Sequence, residues 1–145
     1  MGAEAERNAP FALALGAMLP NLSIHTLIVT PLGGDDFHLN LVVENTGFLP
    51  TFTSQQGKNR KAMRPVLVEL ELPAEVAIIN GKRRLELGHL EGRSNKLEVA
   101  AIGAASPTDN RARAEWVLHA LPGTTINLKV LSERAGVLRR EVSLE

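Results

Sequence analysis

The chain has 145 residues, of which 44% are apolar and 22% are charged, which is the size and composition of one globular domain. Lysine plus arginine equals aspartate plus glutamate at 16 each, and this zero net charge argues against binding to nucleic acid or to a membrane surface. The chain has no cysteine, which excludes disulfides, thiol catalysis and cysteine-ligated zinc, and no apolar run reaches the ~18 residues of a membrane-spanning helix.

The first stretch predicts a short helix ahead of the main domain. Pro10 fits the first helical turn and Pro20 ends the helix. We expect this helix, at residues 9–19, to pack over a sheet edge, and we divide the chain into a connector helix at 1–20 and a β-sandwich domain at 21–145. Acidic residues near the start argue against a signal peptide, so we interpret the start as that of a fragment. The apolar face of the helix consists of Phe11, Leu15, Met18 and Leu19.

Alternation of apolar and polar residues predicts that most of the remaining chain forms short β-strands. A Gly-Gly-Asp-Asp turn joins the first two strands into a hairpin, and Asn80-Gly81 predicts a second hairpin between the fourth and fifth strands. Residues 53–64 are polar and basic and predict a mobile surface loop. The pattern is typical of an all-β, immunoglobulin-like β-sandwich of about seven to nine strands with one short N-terminal helix. The strand candidates are 22–30, 37–45, 66–72, 76–79, 83–87, 97–102, 113–120, 126–131 and 137–144.

The histidines do not match a metal site in sequence. A zinc peptidase needs histidine ligands and a nearby carboxylate, commonly at fixed spacing. No histidine is followed by a carboxylate three residues later, and all but His89 occupy solvent-facing strand positions. Asp35-Asp36 predicts a hairpin turn rather than a calcium loop, and Ser132 has no G-x-S-x-G elbow. We therefore predict no catalytic residue, no metal ligand and no cofactor in this chain. The histidines are His25, His38, His89 and His119.

The stretch LGHLEGRS, residues 87–94, has two interpretations: a recognition loop, or a structural corner whose Glu91 pairs with arginines. In the last strand, Arg140 shares the parity of Leu138 and Val142. It therefore faces inward, unless a bulge or an edge position lets it reach water, because an unpaired buried guanidinium is costly. Our hypothesis is that Glu91 accepts a hydrogen bond from at least one arginine. The candidate structural or recognition cluster comprises His89, Glu91, Arg93, Arg134 and Arg140.

Four segments of the chain form a series: NTGFLPT at 45–51, ELGHLEGRS at 86–94, EWVLHALPG at 115–123 and SERAGVLRREVSL at 132–144. In this order they resemble the domain that follows the catalytic domain in bacterial zinc carboxypeptidases of the carboxypeptidase A type. The segment ERNAPFALALGAMLP at 6–20 resembles the connector that leaves the catalytic domain there. Together these segments extend over nearly the whole chain.

The resemblance implies a non-catalytic accessory domain that supports a catalytic domain or regulates access to it. The zinc and the catalytic residues would lie upstream, so the expected partner is the upstream peptidase domain of the same polypeptide, and we expect a monomer. The compartment stays open between cytoplasm and periplasm. The alternative is a binding module for cell-wall peptide or glycan. A glycan platform stacks sugars on exposed aromatic rings, whereas alternation places Trp116, the single tryptophan, in the core beside Ala114 and Leu118.

Overall fold

The computed structural model describes residues 2–60, 62–96 and 109–145, which form two four-stranded antiparallel sheets with an apolar core between them. The eight described strands are β1 Leu22–Gly33, β2 Asp36–Asn45, β3 Val66–Glu71, β4 Ala77–Asn80, β5 Arg84–Gly88, β6 Arg111–His119, β7 Thr124–Ser132 and β8 Gly136–Leu144. Sheet A has the strand order β1-β2-β6-β4, and sheet B has the order β5-β3-β7-β8. The helical elements are α1 Gly2–Ala17, α2 Gln55–Asn59 and a 3₁₀ turn at Arg93–Lys96. This architecture confirms the predicted all-β, immunoglobulin-like sandwich.

Strand β2 shows how alternation builds the core. Phe37, Leu39, Leu41 and Val43 are buried, whereas the residues between them are partly exposed on the outer face of sheet A. The inner face meets buried leucine, isoleucine and valine side chains from β3 and β7. Burial of each such side chain stabilises the fold by about 1.5–3 kcal/mol. The predicted hairpin between β1 and β2 is confirmed, because the two strands pair along their length.

The predicted hairpin at Asn80-Gly81 is wrong. Strand β4 pairs with β6 in sheet A, and β5 pairs with β3 in sheet B, so the chain crosses between the sheets here. Gly81 has a φ of 101°, and a Cβ atom at this position would lie 2.5 Å from Cδ1 of Trp116. The indole Nε1–H of Trp116 donates to the carbonyl of Lys82 at 2.9 Å. Glycine is therefore required where the chain passes closely over a buried tryptophan. The Asn-Gly pair correctly indicates a residue with positive φ, but the chain does not form a hairpin there.

Helix α1 begins at Gly2, earlier than predicted, and includes Pro10. The prediction that it covers a sheet edge is wrong, because its apolar side chains are exposed, including Phe11 at 67% and Leu15 at 50%. The sequence correctly predicted a helix in this stretch, but its periodicity carries no information on what the apolar side chains contact. No helix among the described residues is long and apolar enough to cross a membrane.

The stretch 53–64, predicted as a loop, contains the short helix α2. The hydroxyl of Ser54 accepts a hydrogen bond from the backbone N–H of Gly57 at 3.0 Å, which caps the helix N-terminus. The strand candidate at 97–102 lies outside the described residues.

Candidate functional site

One end of the sandwich carries four loops that we call the corner: residues 18–21, 45–52, 87–94 and 109–110. Backbone hydrogen bonds join these loops to one another. The carbonyl of Gly47 accepts from the N–H of Arg93 at 3.0 Å, and the N–H of Leu49 donates to the carbonyl of Met18 at 2.9 Å. The chain that leaves α1 is therefore fixed to the same loops that carry the NTGFLPT and LGHLEGRS stretches.

Asn45 is the centre of the corner, and its side chain is fully buried. Its Nδ2 donates to the carbonyls of Leu49 at 2.9 Å and Glu91 at 3.1 Å. Its Oδ1 accepts from the backbone N–H groups of Asn21 and Gly47, both at 3.0 Å. One amide thus uses all four of its hydrogen-bonding positions on the backbone of three different loops. Such a side chain holds the loops in one arrangement, since each backbone group left unpaired inside the corner would be costly.

Two glycines allow the loops to approach this closely. A Cβ atom on Gly47 would lie 2.3 Å from the carbonyl oxygen of Leu19, and one on Gly92 would lie 2.2 Å from that of Phe48. Both obstacles are backbone atoms, which cannot move without breaking the loops apart. The glycines of NTGFLPT and LGHLEGRS are therefore required by contact between these stretches and their neighbours.

Thr51 joins the corner to the core. Its backbone N–H donates to the carbonyl of Leu90 at 2.9 Å, and its Oγ1 accepts from the N–H of Leu90 at 2.8 Å. Both residues are buried. These two hydrogen bonds join loop 45–52 to loop 87–94 in the manner of a short β-bridge. Leu90 is part of the apolar core.

The predicted cluster residues occupy two parts of the fold. His89, Glu91 and Arg93 lie in the corner, where His89 makes an edge-on ring contact with Phe52 at a centroid distance of 5.9 Å. Arg134 reaches the corner from the turn between β7 and β8, and its Nη1 donates to the carbonyls of Pro50 at 3.3 Å and Phe52 at 3.0 Å.

Arg140 lies apart from the corner loops, on strand β8, and its side chain is exposed. Its register partner Leu128 is buried, so Arg140 leaves β8 from the core-facing side. Because β8 is the edge strand of sheet B, the side chain reaches water, which is the edge-position alternative described above. The pairing of Glu91 with an arginine side chain stays a prediction.

The outer face of sheet A carries histidine–carboxylate pairs that sequence spacing did not reveal. His119 Nδ1 lies 2.7 Å from Asp36 Oδ1, His25 Nδ1 lies 3.3 Å from Glu44 Oε2, and His38 Nε2 lies 3.5 Å from Glu115 Oε1. Each pair joins neighbouring strands, so its members are distant in sequence. Among the described residues, no group of three or more histidine, aspartate or glutamate side chains could hold a metal ion.

Glu44 on this face contacts three side chains, those of Asn110, Arg111 and His25. Partial burial raises the pKa of Glu44, but hydrogen bonds from Asn110 at 3.0 Å and Arg111 at 3.3 Å lower it, as do the charges of Arg111 and His25. The net result is a pKa below the ordinary glutamate value. Glu44 therefore stays ionised at neutral pH and links β2 to the first residues of β6.

Sequence reasoning missed the buried polar residues of the corner, which are Asn45, Thr51 and Asn110. Asn45 ends a strand and precedes Thr-Gly, so it was assigned only to a turn. The available signal was its parity, because Asn45 continues the inward series of Phe37 to Val43. A polar residue at a core-facing position predicts a buried hydrogen-bond centre rather than an exposed turn.

The fold and the corner define an all-β, immunoglobulin-like β-sandwich domain. The chain belongs to the family described as "Domain of unknown function (DUF8731)", whose model matches residues 21–143. A comparison with curated proteins gave no match. Among solved structures, the chain is similar to the GAE domain of GGA2p from Saccharomyces cerevisiae, with 10% identity and a TM-score of 0.44 over 84% of this chain and 86% of that chain.

Proposed function

We propose that this domain is a non-catalytic accessory domain of a zinc carboxypeptidase-like protein, and that the corner is the part held against the upstream catalytic domain. The observation that carries the proposal is the convergence of three of the four segments in which the resemblance lies, whereas EWVLHALPG runs along β6 away from the corner. NTGFLPT, LGHLEGRS and the start of SERAGVLRREVSL meet in the corner, where Arg134 bonds to Pro50 and Phe52. The connector resembling the one that leaves the catalytic domain ends in the same place, at Met18 and Asn21.

The chemistry of the corner supports a positioning role. The Asn45 amide, the Thr51 hydroxyl and one nitrogen of the Arg134 guanidinium are bonded to backbone groups. Groups held in this way make a rigid platform, because they fix the loops in one geometry. A rigid platform at the exit of the connector would set the orientation of whatever precedes α1.

The glycan-binding alternative finds no comparable support. Trp116, Phe37 and Phe52 are at most 4% exposed, so their rings offer no plane on which a sugar could stack, and Phe48 in the corner is only partly exposed. Phe11 is exposed, but it lies on α1 rather than on the sandwich.

The test begins with the parent polypeptide, whose upstream sequence should contain a carboxypeptidase zinc motif. In that parent, Arg93→Glu reverses an exposed charge on the corner, and Arg83→Glu reverses an exposed charge at the link between β4 and β5. We expect Arg93→Glu, but not Arg83→Glu, to change the KM or the melting temperature of the catalytic domain, while the 145-residue chain alone keeps its own melting temperature. The proposal fails if the upstream sequence lacks the zinc motif. It also fails if removal of residues 21–145 leaves the stability and kinetics of the catalytic domain unchanged.

A further inference from the structure

The open side of the sandwich, where edge strand β1 of sheet A faces edge strand β8 of sheet B, contains a groove of about 500 Å³. We call it the edge groove. Its volume falls within the ~300–1,000 Å³ typical of small-ligand sites. Ile24, Leu27 and Leu138 supply apolar lining and pack against the core. Apolar surface is thus held in a fixed position at the mouth of the sandwich.

Two arginines and one histidine line the edge groove, namely Arg139, Arg140 and His25. No acidic residue lines it among the described residues. His25 already faces Glu44, with 3.3 Å between Nδ1 and Oε2. The two arginines form no salt bridge or side-chain hydrogen bond within the described part of the chain.

Other strand arginines behave differently. Arg84, Arg111 and Arg113 each pair with a glutamate on a neighbouring or the same strand. Arg140 instead leaves the core-facing side of β8 opposite buried Leu128, and Arg139 stands opposite Lys129, another cation. The edge groove therefore combines positive charge without a carboxylate partner and an apolar floor, and this combination is complementary to an anion that carries an aliphatic group.

The strand edges restrict the shape of the occupant. A register shift at His25 interrupts β1, and an inward-placed charge such as Arg140 is a common device against strand addition at a sheet edge. A long peptide that adds a complete strand is therefore disfavoured. A short chain end, with one carboxylate and one apolar side chain on the same Cα atom, suits a groove in which charge and apolar floor are adjacent.

We propose that the edge groove binds the C-terminal residue of a peptide. Arg140 receives the α-carboxylate in a charge-assisted hydrogen bond, and the aliphatic side chain lies on Leu27 and Leu138. Arg139 adds positive potential at the rim. The inference does not depend on the proposed accessory role, because the edge groove belongs to the sandwich alone.

The experiment is a titration of the ¹⁵N-labelled 145-residue chain, followed by amide chemical shifts. The probe is acetyl-Ala-Ala-Leu with a free C-terminus, and the comparison peptides are its C-terminal amide and acetyl-Ala-Glu-Ala-amide. We expect saturable shifts confined to residues 22–27 and 138–140 with the free acid. The amide should bind at least about tenfold more weakly, because the charge-assisted hydrogen bond to the carboxylate is lost.

Arg140→Gln tests whether Arg140 binds the carboxylate. Arg83→Gln is the matched control, because Arg83 is an exposed arginine outside the edge groove. Arg140→Gln should weaken binding of the free acid at least about tenfold without loss of the folded spectrum, whereas Arg83→Gln should leave it unchanged. If Arg140→Gln does not fold, Leu138→Ala gives a second test, since it removes the floor and should also weaken binding. The inference is overturned by equal binding of acid and amide, by equal binding of the internal glutamate peptide, by equal effects of the two arginine variants, or by no saturable shifts.

Discussion

Replacement of Asn45 by alanine removes the centre of the corner and provides the sharpest test of its structure. The substitution leaves four backbone groups without their partner: the carbonyls of Leu49 and Glu91 and the N–H groups of Asn21 and Gly47. At ~1 kcal/mol net for each bond, the loss is about 4 kcal/mol. Asn21 is exposed, so water can replace part of this loss, and the expected decrease in the free energy of unfolding is about 2–4 kcal/mol.

The assay is urea unfolding followed by circular dichroism, with Asn40→Ala as the control. Asn40 lies on the same strand but on the outer face, where its side chain accepts a hydrogen bond from Arg113 at 3.0 Å in an exposed position. The control should cost no more than about 0.5 kcal/mol. If the two variants are destabilised equally, Asn45 does not hold the corner and the reasoning is refuted.

Asn45→Asp separates hydrogen bonding from shape. The new carboxylate keeps the size of the amide and still accepts from two N–H groups, but in its ionised form it cannot donate to the two carbonyls. Burial beside carbonyl oxygens raises the pKa of the introduced carboxyl in the folded state. Relative stability is therefore greatest below the unfolded-state pKa and is lost as the pH rises through the folded-state pKa. A melting-temperature difference from the native chain that does not grow with pH would contradict this assignment.

Single substitutions at Gly81, Glu44 and Glu91 test three other parts of the fold. Gly81→Ala should cost about 1–3 kcal/mol through strain and overlap with Trp116, and more than Gly123→Ala, which has positive φ but no neighbouring atom within 4 Å; equal losses in thermal unfolding would exclude the overlap. Because the pKa of Glu44 is lowered in the folded state, its contribution to stability is present above its unfolded-state pKa and is lost as the pH falls through the folded-state pKa. The difference in melting temperature between the native chain and Glu44→Gln should therefore disappear in acid. A difference that stays constant with pH would disprove this. Glu91→Gln should cost about 3–5 kcal/mol if Glu91 forms a buried pair and about 0–1 if the pair is exposed; unchanged stability with lost partner binding would instead identify a recognition loop.

Local patterns predicted most strands correctly because burial alternates along β2 and β3 and along much of β6 and β7. The inward series of β2 was visible in the sequence, since each side chain reports its own face. Which strands pair with each other was harder to predict from the sequence. Asn80-Gly81 has the local chemistry of a hairpin, but the choice of partner depends on Trp116, which is distant in sequence and lies beneath the crossing.

The sequence pointed to part of the corner, residues 87–94, but not to the side chain that holds its loops together. The glycines and charges of LGHLEGRS drew attention to residues 87–94, and the structure joins that stretch to 45–52. Its main stabilising side chain, Asn45, was missed because its partners are backbone atoms of loops, and no sequence pattern specifies backbone carbonyls. Arg140 could be placed only as a choice between a buried and an edge position, since the sequence does not reveal which strands end a sheet.

The position of β2 within sheet A has a consequence for how the chain folds. Strand β2 lies between β1 and β6, and contacts between β2 and β6 join residues as far apart as Asp36 and His119, separated by 83 positions. The nearer end, where Arg111 contacts Glu44, still spans 67 positions. Pairings of this kind require closure of a long loop, and the entropy cost of that closure comes before any stabilising contact forms. All-β domains therefore fold in the millisecond-to-second range. A growing chain on the ribosome therefore exposes one edge of β2 until β6 has been synthesised, and completion of sheet A follows translation of residue 119.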